Sequence, residues 1–341
     1  GVGVWPSNNL DGWRVSAALT HLNPMRHRIN LTVRGEALVR KVLIEDGKAV
    51  GVEAESGGEV FNIEAERVVL SAGAIKSPHL LMLSGIGPKD QLEEFGIPVI
   101  KDLPGVGQNL MNHLSAQVTF KVKDGLSLFG DTDSVHFGLH YTSDGSSEVN
   151  DMLMRTTPMV DERPERVPGL RTKSLNDDVP ADRVARVSIT LGLPDGSGYV
   201  NLASADPSVQ PTFNYRYLQN ENDKRRVREG IRKAADFLES DAYKNVCDYR
   251  LHPSNDILSD DDALDLYIRQ TVGTARHVSG TCKMGPDSDP MAVVDQYCSV
   301  RGITGLSVVD ASVKPKITRS GGSHATVLMM SERAVEFIAP A

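Results

Sequence analysis

The nine histidines of this chain are its side chains best suited to take up or release a proton near neutral pH. A neutral imidazole can accept a hydroxyl proton, and a second imidazole can hydrogen-bond the oxygen as negative charge develops on it. Oxidation of an alcohol needs such a base, together with an acceptor for the hydride that leaves the adjacent carbon. Two histidines brought to one carbon would therefore suit that reaction. His136 and His140 stand four apart and could share a helix face as metal ligands, but no third ligand accompanies them and the local pattern is strand-like, so they read as structural. His79 and His113 sit in glycine-rich stretches, where turn or packing roles are expected. Cys247, Cys282 and Cys298 are odd in number and lack metal-ligand spacing, so they are expected to be buried thiols, without a metal site or a disulfide framework.

The elements that must position these residues follow from periodicity and turn chemistry. Residues 28–33, 38–44, 49–54, 60–63 and 68–71 read as strands. Asp46-Gly47 and Ser56-Gly57-Gly58 supply turns between them, which predicts a meander. The last of these runs meets Ala72-Gly73, a tight turn leading to a helix expected to start at Ser77-Pro78, and residues 89–95 predict a second short helix. Glycines in that turn permit close backbone approach to a ligand, and the helix end would offer amide donors. Residues 115–220 are irregular and strand-like, with a polar, Pro-rich excursion over 158–182. Asp195-Gly-Ser-Gly198 and Tyr199 read as ordinary hairpin features. Val227, Ile231, Ala234, Ala235 and Leu238 recur at helical spacing within 221–240, and a further helix over 259–269 would be opened by Ser259. A strand over 306–309 and a helix over 326–337 close the chain.

Composition excludes several classes. A chain of 341 residues, 40% hydrophobic and 24% charged, can bury a substantial core divided between two domains. The formal net charge of −8, with no concentrated basic segment, argues against a nucleic-acid partner and suits a small neutral or cationic substrate. No run of about 18 apolar residues offers a membrane span, so a soluble, cytoplasmic protein is favoured.

One segment is far more specific. Gly73-Ala-Ile-Lys-Ser-Pro-His-Leu-Leu-Met-Leu-Ser-Gly-Ile-Gly87 resembles, throughout its length, the second signature of the glucose-methanol-choline (GMC) oxidoreductases. Other blocks resemble that family in the same order: Asp11-Gly-Trp-Arg-Val-Ser16, Asn30-Leu-Thr-Val33 with Ala37-Leu-Val39, Pro104-Gly-Val-Gly-Gln-Asn-Leu-Met-Asn-His113, His277-Val-Ser-Gly-Thr-Cys-Lys-Met-Gly285, Gly305-Leu-Ser-Val-Val-Asp-Ala-Ser312 and His324-Ala-Thr326. Asn112 stands where the family pattern usually has Asp.

The resemblance implies FAD as cofactor, with Val39 against the adenine, the Ser71, Ala72 and Gly73 turn beside the cofactor, and Asp310, Ala311, Thr326 and Val327 along its ribityl and ring portions. It implies that His277 and His324 face the reacting side; the chemistry then assigns His277 as general base and His324 as positioning partner, with the two as a coupled pair able to share these roles. The expected reaction is oxidation of an alcohol to a carbonyl with hydride passing to flavin N5. Two alternatives stay open: a hydroxynitrile lyase-like FAD enzyme without net redox, and a non-catalytic subunit of a split flavoprotein.

The family's first strand ends in G-x-G-x-x-G, where a helix end receives the pyrophosphate. Gly1-Val-Gly3, Gly85-Ile-Gly87 and Gly105-Val-Gly107 do not fit that pattern. The expectation is therefore an α/β fold with a Rossmann-like FAD-binding domain, incomplete in this chain, interrupted by an α+β substrate domain carrying an antiparallel sheet. The expected boundaries are 1–114 and 272–341 for the first domain and 115–271 for the second. A second polypeptide would supply the dinucleotide-binding segment, in a split or processed chain forming a hetero-oligomer.

Overall fold

Asp46 and Gly47 both adopt positive φ, 47° and 75°, the two-residue turn whose twist matches its flanking strands. In the computed structural model this turn joins strands Leu38–Glu45 and Lys48–Ser56, and Gly57-Gly58 joins the latter to Glu59–Glu64. The three form an antiparallel meander. Strand Val68–Leu70 leaves it and pairs in parallel with Leu306–Val308, with Val68 opposite Leu306 and Leu70 opposite Val308. The structure describes residues 1–6, 8–126, 137–158, 179, 183–319 and 322–339. His136 and nearly all of the expected 158–182 excursion lie outside the described residues.

The chain divides into two compact units: Gly1–Arg34, Ser115–Leu191 and Lys224–Gly273 form one, and Gly35–Leu114, Gly192–Asp223 and Thr274–Ala341 the other. This differs from the boundaries expected from sequence in two places, each for a reason of backbone pairing. Val2–Val4 adds an edge strand beside Phe137–Tyr141, which draws the first residues into the unit with the large sheet. The hairpin Tyr199–Asn201 with Thr212–Asn214 belongs to the other unit, where Leu110 and Gly198 exchange backbone hydrogen bonds and the Val200 amide donates to Gly107.

The first unit is built on an antiparallel sheet in the order Val2–Val4, Phe137–Tyr141, Met152–Pro158, Val184–Leu191, Leu114–Val122, Cys247–His252. The amphipathic helix Glu221–Glu239 (α3) buries Val227, Ile231, Ala234, Ala235 and Leu238, as its period predicts. Gly230 marks the closest approach of α3 to the sheet: a Cβ there would stand 2.5 Å from Ile189 Cγ2. On the same helix Arg226, 1% exposed, donates to the fully buried Asp151 at 3.1 Å, and the Ser143 amide and hydroxyl and the Ser146 hydroxyl donate to the same carboxylate. Burial alone would raise the Asp151 pKa, but the hydrogen bonds from Ser143 and Arg226 outweigh it and hold the carboxyl below its usual range.

Several local expectations need correction. Residues 28–33 are not a strand but exposed turns, because Ile29, Leu31 and Val33 meet no described strand edge on which to bury their alternation. The helix expected from Ser259 divides into Asn255–Ser259 (α4) and Asp261–Thr271 (α5), and the α5 cap is Asp260, whose carboxylate accepts the Ala263 amide at 2.8 Å. The closing helix α6 spans His324–Ile338. Among the described residues no helix is long and apolar enough to cross a membrane.

Candidate active site

The second unit holds every sequence-predicted site residue, and five of the ten, Ser71, Ala72, Gly73, Asp310 and Ala311, lie just past the carboxyl ends of its parallel strand pair, the place where ligands bind in open α/β sheets. Val68–Leu70 leads into Ser71, Ala72 and Gly73, and Leu306–Val308 leads into Val309, Asp310 and Ala311. Ser71 and Ala72 are exposed, and Gly73 turns at φ 81° with nothing within 4 Å of the position a Cβ would take. Small residues and open space on that turn fit the close approach of an extended cofactor.

The helix after the turn, α1, spans Gly73–Leu83 and so begins four residues before the expected Ser77. Pro78 lies inside it and cannot donate to Ala74 O, and the Thr281 hydroxyl donates to that carbonyl at 2.6 Å. The amides at the start of α1 are not all on offer to a ligand. Ala72 N donates to Ser77 Oγ at 3.0 Å and Gly73 N to Asp310 Oδ2 at 2.9 Å, while Ser77 Oγ donates to the same Asp310 oxygen. Asp310 Oδ1 accepts the Ser312 amide at 2.7 Å. Asp310, only 8% exposed, thus clamps one predicted cofactor turn to the other.

Backbone pairing carries the histidines to this region. Met111 and Ser279 exchange amide hydrogen bonds, Ala275 N donates to His113 O, and Gly107 N donates to Thr281 O, which lays residues 107–113 along 275–281. Gly280, Cys282 and Met284 in turn donate to Ala311, Ser312 and Val313. Gly280 turns at φ 91°, and a Cβ there would stand 2.5 Å from Asn109 O, so glycine is required where these segments cross.

His277 is half-buried, and the ring it meets is that of His113: the two Nδ1 atoms are 2.9 Å apart and the rings stand edge to face, centroids 5.1 Å apart. His113 is fully buried, with Nε2 at 3.0 Å from Gly192 O and 2.9 Å from Thr318 O. Burial, and then the neighbouring His277 and Lys314, push its pKa down to about 4. A turn or packing role does not describe His113. Asn112 Oδ1 accepts the His277 amide at 2.8 Å, and its Nδ2 donates to Thr274 Oγ1 at 2.6 Å, so this side chain ties the His277 backbone to Thr274.

The other predicted residues are placed as follows. His324 is the first residue of α6, with its side chain exposed. Thr326 and Val327 occupy the next turn, where Thr326 Oγ1 donates to Ser323 O and receives Lys314 Nζ at 2.7 Å. Val39 is half-buried in the meander, opposite Ala54 and packed on the unit's core. Lys314, buried at 2% exposure and with its pKa lowered by that burial, went unnoticed in the sequence, although its place four residues after Asp310 could have marked it. His79 lies on α1, 2% exposed, and burial followed by Lys76 pushes it to about 4. Cys247, Cys282 and Cys298 are free and buried.

The sequence models of the GMC oxidoreductase family match residues 1–115 and 194–331. An oxygen-dependent choline dehydrogenase of Photobacterium profundum is 37% identical over 341 residues, covering 96% of this chain and 59% of that protein. An uncharacterized GMC-type oxidoreductase of Rhodococcus erythropolis is 33% identical, covering 98% and 62%. Among solved structures, pyridoxine 4-oxidase from Mesorbium loti superposes with a TM-score of 0.86 at 27% identity, covering 98% of this chain and 64% of that one. Formate oxidase of Aspergillus oryzae RIB40, described for modification of its FAD, gives 0.78 at 25%, covering 92% and 62%. The chain spans about three fifths of the length of these curated relatives. The family models and relatives give no support to a split chain or to a second polypeptide. With both models matched, and with mixed α/β architecture and antiparallel sheets shared with its structural neighbours, the chain belongs to the GMC oxidoreductase family.

Proposed function

We propose that this chain oxidises the CH–OH group of a small alcohol to a carbonyl with FAD as cofactor, His277 acting as the general base. The observation that carries the reading is a half-buried imidazole, His277, on a segment hydrogen-bonded directly to the Asp310–Val313 loop. Bound along Val39, the Ser71 to Gly73 turn, Asp310, Ala311, Thr326 and Val327, FAD would supply the acceptor for the hydride. His277 takes the hydroxyl proton at its ring nitrogen, and Asn112 keeps the His277 backbone in place through the 2.8 Å contact. His324, opening α6, orients the substrate oxygen. Asp310 acts on the reaction only through shape, since its carboxylate is occupied in joining the two turns. Names among the relatives, and a net charge of −8, point toward a neutral or cationic alcohol.

Anaerobic mixing of the flavin-loaded protein with choline, pyridoxine and simple aryl alcohols tests the reading. Loss of oxidised-flavin absorbance is expected with at least one of them, slowed roughly 10²- to 10⁴-fold by His277→Ala. Flavin that stays oxidised with every alcohol while a cyanohydrin is cleaved would replace the oxidation by a lyase reaction.

A further inference from the structure

We propose that His113 is a positioning residue that sets the tautomer of His277, placing the hydrogen of that ring on Nδ1 and its basic lone pair on Nε2. The inference rests on the reading of His277 as the base and deepens it. Nε2 of His113 lies at hydrogen-bond distance from two backbone carbonyls, Gly192 O at 3.0 Å and Thr318 O at 2.9 Å. Carbonyl oxygens only accept, so Nε2 must carry a hydrogen. A neutral imidazole has one N–H, which leaves the lone pair of His113 on Nδ1. The 2.9 Å approach of His277 Nδ1 to that atom is then a hydrogen bond only if His277 donates. Two rings at 83° can satisfy this, because both planes can contain the N···N line while turned about it.

The chain of assignments requires His113 to stay neutral, and its surroundings enforce this. The ring is fully buried, and the charged or titratable groups that face it, His277 and Lys314, both disfavour a second proton. A protonated His113 would donate from both nitrogens and force His277 into the opposite tautomer.

The arrangement differs from a carboxylate behind a histidine in one respect. When His277 Nε2 takes the substrate hydroxyl proton, its Nδ1–H bond to His113 becomes charge-assisted and strengthens. His113 brings no negative charge, so it orients the imidazolium without fixing the proton there, and His277 can release it after turnover.

The test is histidine ¹⁵N NMR of the purified protein near pH 7, with His277 assigned by its loss in His277→Gln. The expected result is a protonated Nδ1 and an unprotonated Nε2 on His277, with the reverse on His113. A His277 ring protonated at Nε2 overturns the proposal. In the flavin-loaded protein, His113→Phe should lower kcat roughly 10- to 100-fold with little change in KM, and His113→Asn, whose amide oxygen can accept from His277, should recover most of the loss. A fully active His113→Phe variant with an unchanged His277 tautomer would also overturn it. If the Phe variant does not fold, the wild-type spectrum decides alone. Undiminished alcohol oxidation by His277→Gln would defeat the base assignment and leave the tautomer result standing, so the two failures are distinguishable.

Discussion

Each unit buries a polar cluster, and the two are solved in opposite ways. In the sheet unit Asp151 and Arg226 answer charge with charge, at 0% and 1% side-chain exposure, and Ser143 and Ser146 hydrogen-bond the same carboxylate. In the other unit His113, His277 and Asn112 are joined by directed hydrogen bonds between neutral groups, and burial holds His113 far below the usual histidine range. A closed ion pair has nothing left to give to a reaction, and removing one partner strands the other. A buried imidazole couple keeps a defined order of donors and acceptors, which is what proton transfer requires. The contrast separates a cluster that holds the fold from one suited to chemistry, although His113 is as fully buried as Asp151.

Breaking the ion pair should give the largest effect on stability. Arg226→Ala leaves the Asp151 carboxylate without its cation and is expected to cost about 3–5 kcal/mol, read as a shift of the urea midpoint. Acidification should act mainly on the other cluster. Above about pH 6.5 His113 is neutral whether folded or unfolded, but below it the unfolded chain takes up a proton that the folded ring refuses until about pH 4. Stability is therefore lost as pH falls across that window, by up to about 3 kcal/mol for His113 and by a comparable amount for His79, whose pKa is lowered to the same value. Urea titrations at pH 7 and pH 4.5 should show the drop, reduced in His79→Gln. The smallest effect is expected from Asn112→Asp, which restores the acid usual in the family: one oxygen still accepts the His277 amide, and the Thr274 hydroxyl need only turn to donate to the other. A loss within about 1 kcal/mol is expected, and a much larger one would show that the donor end of Asn112 matters to the histidine pair.

The meander, the parallel strand and the amphipathic α3 were legible in the sequence because each declares itself locally, through Asp46-Gly47, the 68–71 run before Ala72-Gly73, and the helical period of Val227 to Leu238. Residues 28–33 misled for the same reason: their alternation was real, but a strand also needs an edge to join, and that is a property of the whole fold. The GMC motifs point to the segments proposed for the site. They did not reveal which side chains meet, since His113 and His277 lie 164 residues apart and their contact depends on how 107–113 pairs with 275–281. Lys314 stayed hidden because lysine in a sequence reads as surface, and only the packed structure buries it against Thr326.

The Asp310 clamp also constrains how this molecule comes into being. The turn at Gly73 is fixed by a carboxylate 237 residues further along the chain, and its strand has only a late parallel partner, Leu306–Val308. Contacts of such sequence separation form slowly, because a long stretch of chain must be ordered before they contribute. During folding, residues 71–73 lack their final shape until the 306–312 stretch has docked beside them. Damage to the Leu306–Val308 strand would thus be felt at the Gly73 turn, which is held by a carboxylate 237 residues away in sequence.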